Sequence, residues 1–295
     1  MGFFIHVTVS CGLMAMLSLG LMLIVRSGVY SVASAGFYLV GAYCTALGTL
    51  KLGLSPGFAL VLGAVLGAIL GIFCIAPAYR VREDRLLILT LGFAESLRLV
   101  CANSRSVTNG AMGLSGIPHF SLLGVNIKPG TIAFAGFVWL IVGIICLLLI
   151  RLVKSPWGLR IDAARDDRVA ATSLGIQVAR PLYIVHAAGA SLAAVAGSLY
   201  AHHMAFVSPA PFTVVLSVFA LCALLLGGKD SVTGVLLGAI LIGAGLPLLQ
   251  LVGTPEYSAS AIRQIVFGVA LAVLTIWLPG GIGGIWRGAK SDRWE

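Results

Sequence analysis

Charge is what this chain has least of. Only 10% of its 295 residues are Asp, Glu, Lys or Arg, where soluble domains carry about 25%. No globular core can hide the 59% of apolar residues beside them, so the solvent for most of the surface is lipid. Acid is scarcer than base, with 10 carboxylates against 19 cations. Glu95 is the one acid well inside an apolar segment, while Asp230 and Glu256 belong to loops. A proton-coupled carrier needs a relay of such acids, and there is none to build it from. Cysteines 11, 44, 74, 101, 146 and 222 all sit in apolar stretches without a C-x-x-C pair, so they read as small packing residues rather than disulfide or metal partners. No nucleophile–base or metal-ligand grouping points to an enzyme. A phosphate loop fails too. In Gly227-Gly-Lys-Asp-Ser231, Asp230 follows the lysine, where Ser or Thr must hold magnesium. No basic stretch precedes the first apolar run, so no cleavable signal is expected.

Long apolar runs are what the chain does have. They fall near 5–25, 29–50, 56–79, 86–103, 131–153, 182–204, 212–228, 231–251 and 261–279. Their length suits helices and not the alternating ten-residue strands of a lipid-facing barrel. The fold class is therefore all-α, a polytopic membrane protein of about nine helices (eight to ten) in one domain over 1–295. The second and seventh runs are weakest. Glycines 28, 36, 41 and 48 interrupt one, and the other is short and ends in Gly227-Gly228. Both read as broken or re-entrant helices, which need backbone shielded by protein or lining a cavity. Gly28-Val-Tyr-Ser-Val-Ala-Ser-Ala-Gly36 and Gly228-Lys-Asp-Ser-Val-Thr-Gly234 are weakly alike. An internal repeat around a central site and chance similarity account for that equally well.

Nine spans with the N-terminus outside put Arg26, Arg80, Arg82, Arg85, Arg151, Lys154, Arg160, Arg165, Arg168, Arg180, Lys229, Arg287, Lys290 and Arg293 inside. Lys51, Arg105, Lys128 and Arg263 fall outside, and Arg98 lies within a span. That asymmetry is the positive-inside pattern, which also explains the net charge of +9 without nucleic acid. The C-terminus is then cytoplasmic, and Trp277, Trp286 and Trp294 fit an inner aromatic belt.

The same count makes the polar stretch 155–175 cytoplasmic. Ser155 is a cap and Pro156 suits a first helical position. Asp166 or Asp167 caps a second, short helix near 167–174, and Gly175 ends it in the left-handed conformation. Ala170 and Leu174 are one turn apart and make a small, mildly apolar stripe on which a partner can seat.

Glu95 and Arg98 are three residues apart, so they can pair within the membrane. A pathway charge and an internal ion pair remain equal readings. Adjacent His202 and His203 point about 100° apart on a helix and read as interfacial residues beside Tyr200.

Ordered motifs then resemble one family. Small-small-x-x-x-Gly in a long cytoplasmic loop resembles the coupling loop of ABC importer permeases, with Val169 where that motif has its Glu. More closely, Thr90-Leu-Gly-Phe-Ala-Glu95, Thr108-Asn-Gly-Ala-Met-Gly-Leu-Ser-Gly-Ile-Pro118 and Ser155-Pro-Trp-Gly-Leu-Arg160 resemble LivM-type branched-chain amino acid ABC permeases. So do Ala170-Ala-Thr-Ser-Leu-Gly-Ile176, Ala196-Gly-Ser-Leu-Tyr-Ala-His-His203, Phe206-Val-Ser-Pro209 and Leu226-Gly-Gly-Lys-Asp-Ser-Val-Thr-Gly234. The likeness covers roughly 12–285. One departure is Ala33-Ser34, where the family has Gly-His. The resemblance implies a bacterial inner-membrane permease without cofactor of its own. ATP and magnesium would sit on two cytoplasmic ATPases, a LivH-type permease would be the second membrane subunit, and a periplasmic binding protein would deliver the solute. It assigns ATPase coupling to the loop 154–181, through Asp166, Asp167, Arg168, Val169, Ala170, Ala171, Thr172, Ser173, Leu174 and Gly175. The candidate translocation path is Ser31, Ser34, Phe37, Tyr43, Thr90 and Glu95. An autonomous secondary transporter of a small polar solute is the alternative.

Overall fold

A computed structural model describes residues 2–79, 83–122, 125–248 and Gly268. The helices are α1 (Gly2–Arg26), α2 (Ser34–Leu50), α3 (Pro56–Ile75), α4 (Glu83–Asn103), α5 (Arg105–Thr108) and α6 (Ile132–Val153). They continue as α7 (Pro156–Asp166), α8 (Arg168–Ser173), α9 (Ala179–Met204), α10 (Val214–Gly227) and α11 (Val232–Leu248). Five of them are long and apolar enough to cross a membrane. The first eight expected spans each meet a helix, while the ninth, 261–279, and the three belt tryptophans lie outside the described residues apart from Gly268.

The core is built on α9. Where it meets its neighbours most closely this helix carries Gly189, Ala190, Ala194, Gly197 and Ser198, so three helices approach its backbone, as small residues allow in membranes. On one side Gly20 of α1 faces Gly189, and a Cβ on either would meet the other's carbonyl oxygen at 2.7 or 2.5 Å. On a second side Gly41 of α2 lies against the Ala194 carbonyl and Gly197 against the Tyr38 carbonyl. On a third, Gly63, Gly67 and Gly71 of α3 run one per turn along Ser198, Ala194 and Ala190. Ser198 Oγ is 3.1 Å from the Gly41 carbonyl oxygen and 3.0 Å from that of Ala194, joining α2 to α9 where α3 also meets them. The α1 helix is buried on nearly every side after Val9, with α6 and α11 covering what α9 leaves. The outer flanks of α3 and α6 expose apolar residues such as Phe73 and Leu147, as a lipid-facing surface requires.

The second run departs from the expected start. Its helix begins at Ser34 rather than residue 29, because Gly28 has φ +83° and the chain to Ala33 is non-helical. The seventh is 14 residues, a rise of about 21 Å against a hydrocarbon core of about 30 Å. In both places the irregular backbone is anchored in protein by part of its residues, with Val29, Ser31 and Ala33 buried in one and Val207 and Phe212 in the other. Membranes tolerate such breaks under that condition. Gly28 and Gly228 share a positive φ, but Gly228 opens only a short turn whereas Gly28 opens a longer buried stretch.

Contacts sort the ends into two faces. Lys51 Nζ donates to the Ser106 carbonyl at 3.1 Å, and two short antiparallel pairings lie with them. These are β1 (Leu114–Ser115) with β4 (Phe206–Val207), and β2 (Phe120–Leu122) with β3 (Val125–Ile127). Arg26, α7, α8 and the α10–α11 turn gather at the opposite, arginine-rich face. This is the division that the loop charges imply.

Candidate functional site

Two places carry polar chemistry, and the sequence pointed to both. The first is the element at 155–176 on the basic face. Ser155 Oγ accepts from the Gly158 amide at 3.3 Å, with Pro156 in the first turn. Asp167, not Asp166, caps α8, accepting from the Ala170 amide at 3.0 Å. The end is a full Schellman motif. Gly175 has φ +77°, its amide reaches the Thr172 carbonyl at 2.9 Å, and the Ile176 amide reaches the Ala171 carbonyl at 3.0 Å. Glycine supplies the left-handed residue that this geometry needs. Ala171 turns inward, while Ala170, Thr172, Ser173 and Leu174 face out, Leu174 with 80% of its surface exposed. For Arg168 and Val169 only the helical backbone is described.

Sequence reasoning missed what fastens this element. Arg26, the last residue of α1, holds Asp162 of α7 in a two-pronged pair, Nε–Oδ1 at 2.8 Å and Nη2–Oδ2 at 2.6 Å. Arg165 reaches Asp230, in the α10–α11 turn, at 3.3 Å, and Asp166 at 3.2 Å. The stem of Arg165 also packs on Gly28, where a Cβ would meet its Cγ at 3.1 Å. The loop is therefore a braced two-helix arm tied to α1, to the break after it and to the α10–α11 hairpin. Separations of 136 and 65 residues left no local signal for these pairs.

The second place is the buried break before α2. Its amides and that of Ala35, in the first turn of α2, find partners on α4, on α10 and within the break itself. Val32 N–H donates to Thr90 Oγ1 of α4 at 3.2 Å, Ala33 N–H to Ser31 Oγ at 3.2 Å, and Ala35 N–H to Ser217 Oγ of α10 at 2.8 Å. Thus Ser31, Ser34 and Thr90 do come together, all nearly sealed from solvent. Phe37 packs on Phe93 of α4, with ring centroids 6.1 Å apart. Tyr43 is buried farther along α2. Glu95 lies apart from these five, paired with Arg98 and half-exposed. None of the six lines the cavity of about 190 Å³ among α1, α2, α9, α10 and α11, whose polar residues are Ser10, Tyr38 and Tyr200. Ser217 escaped the sequence reading because one serine in an apolar run carries no pattern. Ser217→Ala leaves the Ala35 amide buried without its acceptor. The expected loss is about 1–2 kcal/mol, read as a lower unfolding midpoint in detergent with insertion unchanged.

The histidine pair stands in the last turn of α9 and packs against protein. His202 is fully buried, with Nδ1 donating to the Pro118 carbonyl at 2.9 Å. His203 Nε2 lies 3.0 Å from Nδ1 of His6, and its ring is stacked between His6 and Phe134. The contact joins α1 to the last turn of α9, 197 residues apart in sequence.

These features define a class, a multi-pass all-α membrane protein with broken helices and a braced polar arm on its basic face. Residues 3–278 match the family described as branched-chain amino acid transport system, permease component, and the chain belongs to that family. It is 32% identical over 265 residues to the high-affinity branched-chain amino acid transport system permease protein LivM of Salmonella typhimurium, covering 82% of this chain and 61% of that one. The chain thus spans about three fifths of the length of that relative. It is 24% identical over 259 residues to LivH of Escherichia coli, covering 83% and 82%, and 27% identical over 235 residues to the fructose import permease protein FrcC of Rhizobium meliloti, covering 76% and 64%. No solved structure matches.

Proposed function

We propose that this chain is the membrane-spanning permease subunit of an ABC importer for branched-chain or related amino acids in a bacterial inner membrane. It catalyses no covalent chemistry. A LivH-type permease completes the path, a periplasmic binding protein delivers solute, and two cytoplasmic ATPases with ATP and magnesium drive the cycle. Family membership supports the class. The observation that carries the mechanism is the arm α7–α8, which presents Ala170 and Leu174 outward while anchored at Arg26 and Asp230.

An ATPase closing on its nucleotide can shift the permease only through contacts that differ between two states. The arm supplies those contacts. A push on α8 passes through α7 to the Asp162–Arg26 pair at the end of α1, and through Arg165 to the α10–α11 turn. Both routes end beside irregular backbone, the Gly28–Ala33 break and the Gly228 turn. Such segments absorb dihedral change, as hinges must. Asp166–Gly175 therefore forms the coupling surface, and Ser31, Ser34, Phe37, Tyr43, Thr90 and Glu95 belong to the moving path.

The test is Ala170→Glu. Ala170 is exposed, so folding should change by no more than about 0.5 kcal/mol. ATP-driven uptake in proteoliposomes carrying the whole complex should fall about tenfold or more while insertion persists. Unchanged uptake, together with transport by the purified chain alone down an ion gradient, would show an autonomous secondary transporter instead.

A further inference from the structure

We infer that the Glu95–Arg98 pair on α4 is a docking point for the zwitterionic head of an amino acid in transit. The inference rests on the importer reading above and deepens it by placing a solute contact. Three observations carry it.

The first is that the pair fastens nothing. Arg98 Nε lies 2.9 and 3.0 Å from the two Glu95 oxygens, and Nη2 contacts the same carboxylate. Both residues are on one helix, three apart, and among the described residues each has only the other as a charged partner. The Arg26–Asp162 pair, by contrast, joins two elements. Charges within a span are costly and mark function unless they serve packing, and an i,i+3 pair on one helix ties no second element in place.

The second is position. By helix rise, the pair sits roughly 8–12 Å from the end of α4 at Asn103, the end that shares a face with Lys51. That is the outer face by the distribution of basic residues, the side from which solute enters. Both side chains are partly open, Arg98 at 24% and Glu95 at 33% exposure.

The third is the surface around it. The opposite flank of α4 is closed by α2, where Ala94 lies against Gly36. On the open flank Gly92 has nothing within 4 Å of where a Cβ would stand, and Ser96 turns its hydroxyl back onto the Gly92 carbonyl at 2.7 Å. The floor beside the pair is therefore low. Leu91 and Leu99, one turn to either side of Glu95, are 40% and 46% exposed. An aliphatic amino acid matches this face. Its ammonium donates to the Glu95 carboxylate, its carboxylate accepts both prongs of the Arg98 guanidinium, and its side chain lies on leucine. One internal ion pair becomes two intermolecular ones, and no net charge enters the low-dielectric region.

The experiment places a single cysteine at Ser96 (Ser96→Cys) in an otherwise cysteine-free chain within the assembled complex. It follows labelling by a water-soluble thiosulfonate with and without millimolar L-leucine. Expected are labelling from water, severalfold slower labelling with leucine, and loss of that protection in E95R/R98E. The swapped variant should co-purify with its partner subunits yet import leucine about tenfold more slowly, because a reversed pair holds the zwitterion backwards. No labelling would mean that lipid or the second permease subunit covers this face, and would overturn the inference. So would labelling indifferent to leucine, or a swapped pair that imports normally, as a purely structural pair would allow. Failure of the importer reading looks different, since the wild-type complex would then import no amino acid at all.

Discussion

Gly197→Leu should prevent this protein from accumulating in folded form. A Cβ at Gly197 would press into the Tyr38 carbonyl and come within 3.1 Å of the Ala42 amide. These are backbone atoms of α2, which cannot rotate away as a side chain can. Relief requires α2 and α9 to separate. That opens the neighbouring approach of Gly41 to the Ala194 carbonyl and breaks the Ser198 contact. Overpacking a close-packed site costs about 1–3 kcal/mol, and a backbone clash at a junction of three helices belongs at or above the top of that range. Total stabilities of folded proteins are about 5–15 kcal/mol, so the midpoint in detergent should drop sharply, with most protein eluting as aggregate. Gly136→Ala is the counterpart. Nothing lies within 4 Å of its would-be Cβ, and alanine favours a helix interior by up to about 1 kcal/mol. Equal behaviour of the two variants would refute the account of glycine as a packing device at α9.

Asp162→Ala should both destabilise the chain and disconnect its arm. It strands the Arg26 guanidinium, whose side chain is only 10% exposed. Breaking one side of a buried pair costs about 3–5 kcal/mol. Asp162 is a quarter exposed, so about 2 kcal/mol is the fitting expectation once solvent screening is counted. Arg26→Ala with Asp162→Ala removes the stranded charge and should recover most of that loss. Uptake should not recover, because α1 and α7 are no longer joined. A double variant with restored stability and restored uptake would show that the pair is a staple and not part of the transmission.

These two predictions rest on features of different legibility. The glycines of α2, α3 and α9 are plain in the sequence, but only packing decides which of them face a backbone. Gly197 does, whereas Gly136 and Gly143 face open space. The cap at Ser155, the stop at Gly175 and the turn-spaced Ala170 and Leu174 were readable because capping is governed by neighbours within six residues. The choice of Asp167 over Asp166 was not, since it depends on one dihedral at the junction. The start of α2 was read five residues early, because apolar composition does not distinguish a helix from a buried extended segment. The partners of His202 and His203 were hidden for a similar reason, since His6 and Pro118 are both far from them in sequence.

By itself the sequence determined that this is a multi-pass helical membrane protein, which face is basic, and where the arm begins and ends. Those follow from burial of apolar surface, loop charge and local hydrogen bonding, all of which act over a few turns of chain. Only the tertiary structure decided which serines and threonines serve the break before α2, and that Arg26 and Asp230 hold the arm. Hydrogen bonds and ion pairs form between whatever groups the packing of helices brings within about 3 Å, and sequence separation does not enter that distance.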